Sequence, residues 1–232
     1  MAQNKPQAEK DPEVAIASAI GRVEAFIMRN SRSLLTALGV VIIEVGGFFG
    51  YKYLVAVPRM EKASAMMFAA EQQFAQDSFK LALNGDGNFA GFLQVIEKYG
   101  STGTGNVARH YAGICYLRLG QYQEALDYLT QYKGSTDDVP SALLAAQNYG
   151  LRGDVYVQMG DYAEAAKSYE KAVATSSDPL TAPYYLKKAG EVYEKLGDNA
   201  KALAAYEAVE VDYPTSMEAR DIQKYIGRIQ QQ

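Results

Sequence analysis

The chain offers few residues able to do covalent or metal chemistry. His110 is the single histidine and Cys115 the single cysteine in 232 residues, so neither an intrachain disulfide nor a Cys-cluster metal site can form. His110 has no cysteine partner and no motif around it, and reads as an ordinary helix residue. Serines, aspartates and lysines occur without a nucleophile motif around them. The Asn84-Gly85-Asp86-Gly87 loop suggests calcium, yet it lacks the acidic ladder and closing glutamate of an EF-hand loop. The glycine-rich run at 100–106 (GSTGTGN) has no Walker lysine and no preceding strand. Both read as loops. The expectation is a non-enzymatic protein with no cofactor, no metal and no small-molecule substrate. Two places remain where chemistry of recognition could occur: Glu44 inside an apolar run, and a polar patch of Tyr184, Lys187, Lys188 and Glu191 near the C-terminus.

Charge is mild, with 23 Lys+Arg against 27 Asp+Glu. No basic block interleaved with aromatics is present, which argues against nucleic acid as a partner. No cysteine closely follows the apolar run, so a lipoprotein anchor is not expected. Eighteen tyrosines and no tryptophan suit helix pairs in which medium-sized rings fill holes beside small residues.

The element that must position Glu44 is the run from Leu34 to Val57 (LLTALGVVIIEVGGFFGYKYLVAV). As a helix it would be roughly 36 Å long, enough to cross a hydrocarbon core of about 30 Å with some tilt. Tyr51, Lys52 and Tyr53 form an interfacial aromatic pair with a snorkelling cation, and Pro58 is expected to stop or kink the helix. A cleaved signal peptide is the competing reading, with Ala63-Ser64-Ala65 as its site. The long preceding segment and long apolar stretch favour an uncleaved anchor. Arg22, Arg29 and Arg32 on one side nearly balance Lys52, Arg59 and Lys62 on the other, so charge alone leaves the orientation undecided. Gly39, Gly46 and Gly50 fall within an arc of about 40° on that helix, and the last two form a GxxxG pair. They read either as a helix-packing face or as the ordinary glycine content of membrane helices. Glu44 lies about 140° away from Gly39. It either faces a polar group on another membrane helix or sits protonated and uninvolved. Before the span, Ile16, Ile20, Val23 and Ile27 recur at helical spacing over Pro12–Asn30, predicting a short interfacial helix. Residues 1–11 are polar and expected to be disordered.

The elements behind the C-terminal patch repeat. AGICYLRLGQYQEALDYL at 112–129, RGDVYVQMGDYAEAAKSY at 152–169 and AGEVYEKLGDNAKALAAY at 189–206 share one pattern. Each carries a glycine (Gly113, Gly153, Gly190) and a tyrosine three residues on (Tyr116, Tyr156, Tyr193). A second glycine follows (Gly120, Gly160, Gly197), then an alanine (Ala125, Ala165, Ala202). Gly113 to Gly153 is 40 residues and Gly153 to Gly190 is 37. The first glycine is expected to admit a close helix contact, with the tyrosine filling the neighbouring gap. The second should end the first helix in a left-handed conformation, and the alanine should permit close packing of the next. No unit could bury its apolar stripe alone, so the units must stack. On these markers the chain resembles the tetratricopeptide repeat family, whose unit is about 34 residues. The extra residues fall at 133–140 and 174–182, and Pro214 closes the third unit in the family manner. Asp198-Asn199 departs from the usual turn.

The predicted fold is therefore all-α: one transmembrane helix followed by a tetratricopeptide-repeat α-solenoid. Its expected divisions are a 1–32 N-terminal tail with a short amphipathic helix, a 33–57 span, and a 58–232 repeat domain. Within the last, a degenerate first repeat at about 60–100 (helices Glu61–Ala82 and Phe89–Tyr99) precedes repeats at about 106–139, 146–179 and 183–216, and a capping helix at 216–231. Tetratricopeptide grooves generally bind extended or helical peptides. The slots used by the chaperone-tail clamp of the family hold His110 and Ile114 in the first unit, and Gly150 and Asp154 in the next, so that clamp is absent. Groove candidates are thus His110, Ile114, Asp154, Tyr184, Lys187, Lys188 and Glu191, although the lysine pair reads first as a solvated helix face, since such charges are usually solvated.

The order of parts, with EAFIMRNSRSLL before the span and GYKYL after it, resembles the YfgM-type ancillary subunits of the bacterial Sec translocon. ALNGDGNFAGFLQVIEKY and EVDYPTS look like the versions common in Bacteroidota. The resemblance implies a single-pass protein of the bacterial inner membrane with a cytoplasmic N-terminus and a periplasmic repeat domain. It implies contact with the SecYEG translocon, and with periplasmic chaperones receiving exported polypeptides. Glu44 has no counterpart in that pattern. A periplasmic scaffold coordinating envelope assembly or division is the alternative.

Overall fold

The computed structural model describes residues 12–231; the expectation for residues 1–11 lies outside them. The chain divides into two units, residues 1–58 and 59–232.

In the first unit, α1 (Pro12–Arg29) and α2 (Ser31–Tyr51) meet at Asn30, whose side-chain amide donates to the Phe26 carbonyl at 2.9 Å. Ile16, Ile20, Val23 and Ile27 are exposed on α1, and α2 has no buried residue. The helical stretch Ser31–Ala75 contains an 18-residue window of mean hydropathy 1.9, none of it buried, long and apolar enough to cross a membrane. Of the two outcomes expected at Pro58, a stop is not seen. A π-helical turn at Lys52–Ala56 precedes the proline, and the Val57 N–H reaches back to the Lys52 carbonyl. That wider ladder carries the chain in helical conformation past a residue that cannot donate, and α3 runs Val57–Ala75.

In the second unit the helix expected over Glu61–Ala82 ends at Ala75. Asp77 adopts a left-handed φ of 56°, and a separate α4 (Phe79–Asn84) follows. The helix expected from Phe89 starts at Phe92 as α5 (Phe92–Tyr99). The intervening loop closes with a bridge between Gly85 and Ala90, and the Gln94 side chain locks it by donating to the Asn84 carbonyl at 2.9 Å and accepting from Gly91 N–H at 2.5 Å.

Three helical hairpins follow: α6 (Gly103–Arg118) with α7 (Tyr122–Gln131), α8 (Val139–Met159) with α9 (Tyr162–Thr175), and α10 (Ala182–Leu196) with α11 (Asn199–Asp212). A 3-10 turn at Glu218–Arg220 leads to α12 (Ile222–Gln230), which buries Ile222, Ile226 and Ile229 against the last hairpin. Val139 and Pro140 belong to α8, where the proline occupies the first turn and Asp138 caps it by accepting from Ser141 N–H at 2.8 Å.

Each hairpin turns on a glycine with φ between 74° and 78° (Gly120, Gly160, Gly197), the left-handed conformation that a Cβ disfavours. The gap-filling group is different from the expected one. The space beside Gly153 is taken by the Tyr169 ring, whose Cε1 would lie 2.5 Å from an added Cβ, and the space beside Gly190 by the ring of Tyr206. In the first hairpin Leu129 takes that place beside Gly113, at 2.5 Å. All three come from the second helix of their own hairpin. Tyr116 and Tyr156, three residues after the glycine, are only half-buried, and Tyr116 stacks on Tyr128 at 5.2 Å between centroids.

Candidate functional site

The first helices of the three hairpins line one open groove of about 710 Å³. α6 presents Ile114, α8 presents Asp154, and α10 presents Tyr184, Lys188 and Glu191. These five expected residues come together because positions one repeat apart lie side by side when hairpins stack. Lys187 opens instead onto a neighbouring pocket of about 430 Å³, shared with Tyr184, Lys188, Glu191 and the Glu218–Asp221 end.

A half-buried polar knot forms the groove floor. Asp154 accepts from the Tyr169 hydroxyl at 2.7 Å and from Lys188 Nζ at 2.6 Å. The ammonium of Lys188 also sits 4.8 Å from the Tyr184 ring centre, within cation–π range. Burial works against the charge on Lys188, but Asp154 and Tyr184 together outweigh it and raise the pKa above the ordinary lysine value. Burial, followed by the Asp154 charge, raises the Tyr169 hydroxyl well above the usual tyrosine range. The floor is thus the Asp154 carboxyl group held between a neutral hydroxyl and an ammonium. Lys187 binds Asp221 at 3.0 Å beneath the Tyr225 ring, 4.6 Å away. Burial lowers its proton affinity, and Asp221 and Tyr225 together more than reverse this.

His110 is not a groove residue. It is 1 % exposed, at the junction of α6 and α8, where its Nδ1 lies 3.2 Å from the amide of buried Asn148 and its ring faces those of Tyr111 and Tyr132. Burial pushes its pKa down to about 4, against a smaller opposing effect of a hydrogen bond with Gln147, so it is a neutral packing group. Cys115 is likewise buried, and burial pushes its thiol up to about 12, far from a reactive thiolate. Among the described residues no group of three or more His, Cys, Asp or Glu is placed to hold a metal ion.

In the first unit, Glu44 is exposed on α2, and a Cβ added at Gly39, Gly46 or Gly50 would meet nothing within 4 Å.

Sequence reasoning missed the second-helix tyrosines Tyr122, Tyr162 and Tyr169 that wall the groove. It also missed the ion pairs. Lys188–Asp154, Lys187–Asp221 and Arg228–Glu194 each join residues 34 apart, one family repeat length. Opposite charges at that spacing were a readable signal for contacts between consecutive units.

Residues 106–178 and, overlapping them, 151–219 match family models described as tetratricopeptide repeat. Among solved structures, the chain is similar to a MamA protein (TM-score 0.54, 16% identity, covering 74% of this chain and 91% of that one). It is similar to a tetratricopeptide repeat protein from Parabacteroides merdae ATCC 43184 (TM-score 0.58, 14% identity, 74% of this chain and 61% of that one). A third is the putative kinesin light chain of Podosopora anserina with nearly identical TPR-like repeats (TM-score 0.56, 16% identity, 73% and 86%). At these identities the likeness is one of fold. A search of the curated proteins finds no match.

Proposed function

We propose that this tetratricopeptide repeat protein is a non-enzymatic adaptor held in the bacterial inner membrane, with its N-terminus cytoplasmic and its repeats periplasmic. The observation that carries the membrane reading is α2, apolar and without a single buried residue. Each large aliphatic side chain left in water forgoes roughly 1.5–3 kcal/mol of burial, a deficit that a hydrocarbon environment removes. Glu44 opposes insertion by on the order of 3 kcal/mol, less than its many apolar neighbours contribute together. In the repeats, the groove offers aromatic walls and a self-neutralised floor, a surface suited to a peptide chain rather than to turnover chemistry. Its partners on this reading are the SecYEG translocon on the membrane side and periplasmic chaperones or exported polypeptides in the groove. The resemblance of the 24–54 region to YfgM-type subunits supports that choice.

Topology is tested by protease. The repeat domain should be degraded in spheroplasts and protected in intact cells; protection in spheroplasts would reverse the orientation and remove the reading. Photocrosslinkers placed separately at Gly46 and Lys187 should capture SecY from the first position and a soluble periplasmic protein from the second. Capture of division or wall enzymes with no SecY would favour the envelope-scaffold alternative.

A further inference from the structure

Away from the groove, two cations lie on one aromatic ring without an acidic partner. The Arg152 guanidinium sits 5.2 Å from the centre of the Tyr149 ring and the Lys171 ammonium 5.9 Å from the same centre. Neither forms an ion pair among the described residues, and Arg152 Nε is buried with no hydrogen-bond partner. Both line a pocket of about 320 Å³ between α8 and α9. Of the other charged groups there, Glu164 holds Lys167 at 2.5 Å and Glu170 accepts from the neutral Tyr193 hydroxyl, so the three cations outnumber the two carboxylates. A guanidinium over a ring face spends none of its N–H donors on that contact, and its planar fork can receive a carboxylate in two parallel hydrogen bonds.

Glu170 and Ala174 also belong to the wall of an adjoining apolar groove of about 460 Å³, floored by Leu186, Ala189 and Tyr193 of α10 and bounded by alanines of α11. An unsatisfied basic pocket therefore runs into an apolar trough across the shared ridge of α9. We propose that this surface is a second docking site, for a peptide segment of a partner protein that places a carboxylate on Arg152 and Lys171 and an apolar side chain in the trough. Charge complementarity selects the acidic group. The trough selects its apolar neighbour, because burying that side chain removes apolar surface on both partners from water.

The test is selection of unmodified random dodecapeptides from a displayed library against the full chain in detergent micelles. A class with Asp or Glu beside Leu, Ile or Phe should emerge that binds about tenfold or more weakly to K171Q and to R152Q and equally well to Y184A. Lys171 is exposed, so K171Q keeps the test informative even if R152Q disturbs folding. R152K, which retains the charge but not the planar fork, should fall between wild type and R152Q. A selection with no such class, or one whose peptides all bind K171Q as tightly as wild type, would overturn the proposal. Peptides lost only in Y184A report the other groove and leave the two sites separately judged.

Discussion

At the residue scale, glycine does two unlike jobs in each hairpin, and they separate experimentally. Gly190→Ala or Gly153→Ala pushes a methyl into a tyrosine ring held on the other helix. A ring cannot fold away as a flexible chain end can, so overpacking should lower stability by about 1–3 kcal/mol. Gly160→Ala meets no atom within 4 Å but must hold a φ of 78°, a penalty of roughly 1 kcal/mol. Urea unfolding of the three variants should rank them in that order. His110 supplies the acid-side pH dependence. Its folded pKa of about 4 lies below the ordinary 6.5, so the unfolded chain binds the proton first. Its contribution is complete above pH 6.5 and is lost as pH falls through about 4. Between pH 7 and pH 5 this amounts to roughly 2 kcal/mol. H110Q should flatten that slope in denaturation curves at the two pH values; an unchanged slope would assign the dependence to other groups.

At the element scale, all three hairpins turn on a left-handed glycine, and in the second and third a capping residue follows it. Asp161 accepts from Glu164 N–H at 3.2 Å and Asp198 from Lys201 N–H at 3.1 Å. Asp161→Ala and Asp198→Ala should each cost about 1 kcal/mol, read as a lowered urea midpoint with an unchanged slope. Asp198-Asn199 departs from the family turn in residue type but preserves the cap, which is why the third hairpin closes like the second. In the first hairpin Gln121 occupies the corresponding place and its side chain makes no capping bond. The same scale explains the two displaced helix ends upstream. Asp77 and the Gly85–Gly91 loop interrupt apolar periodicity with backbone conformations that periodicity does not encode.

For the whole molecule, burial is divided unevenly between the units. All the buried hydrophobic side chains among the described residues lie at Ala63 or beyond, while α2 buries none. A chain of residues 59–232 should therefore fold without the apolar helix, stay soluble without detergent, and give the helical circular dichroism expected of its hairpins. Its thermal midpoint should match that of the repeat domain in the full chain within a few degrees. Aggregation or loss of helix would show that the repeats depend on the first unit. The ion pairs 34 residues apart belong to this scale as well, since each ties neighbouring units rather than residues of one helix.

The all-helical repeat architecture, the turn glycines and the long apolar helix were all legible in the residues, because each depends on local spacing: three in-phase copies, a conformation that suits glycine, and an unbroken apolar run. Ile114, Asp154, Tyr184, Lys188 and Glu191 could be assigned to one groove from their positions in the repeat. Which side chains that groove leaves available was not local information. His110 vanished into the junction with Asn148, Asp154 and Lys188 neutralised each other across a repeat, and Arg152 and Lys171 were left without an acid on the far side of α8. Those outcomes depend on how far each hairpin is rotated against the next, and only the stacked tertiary structure decides that.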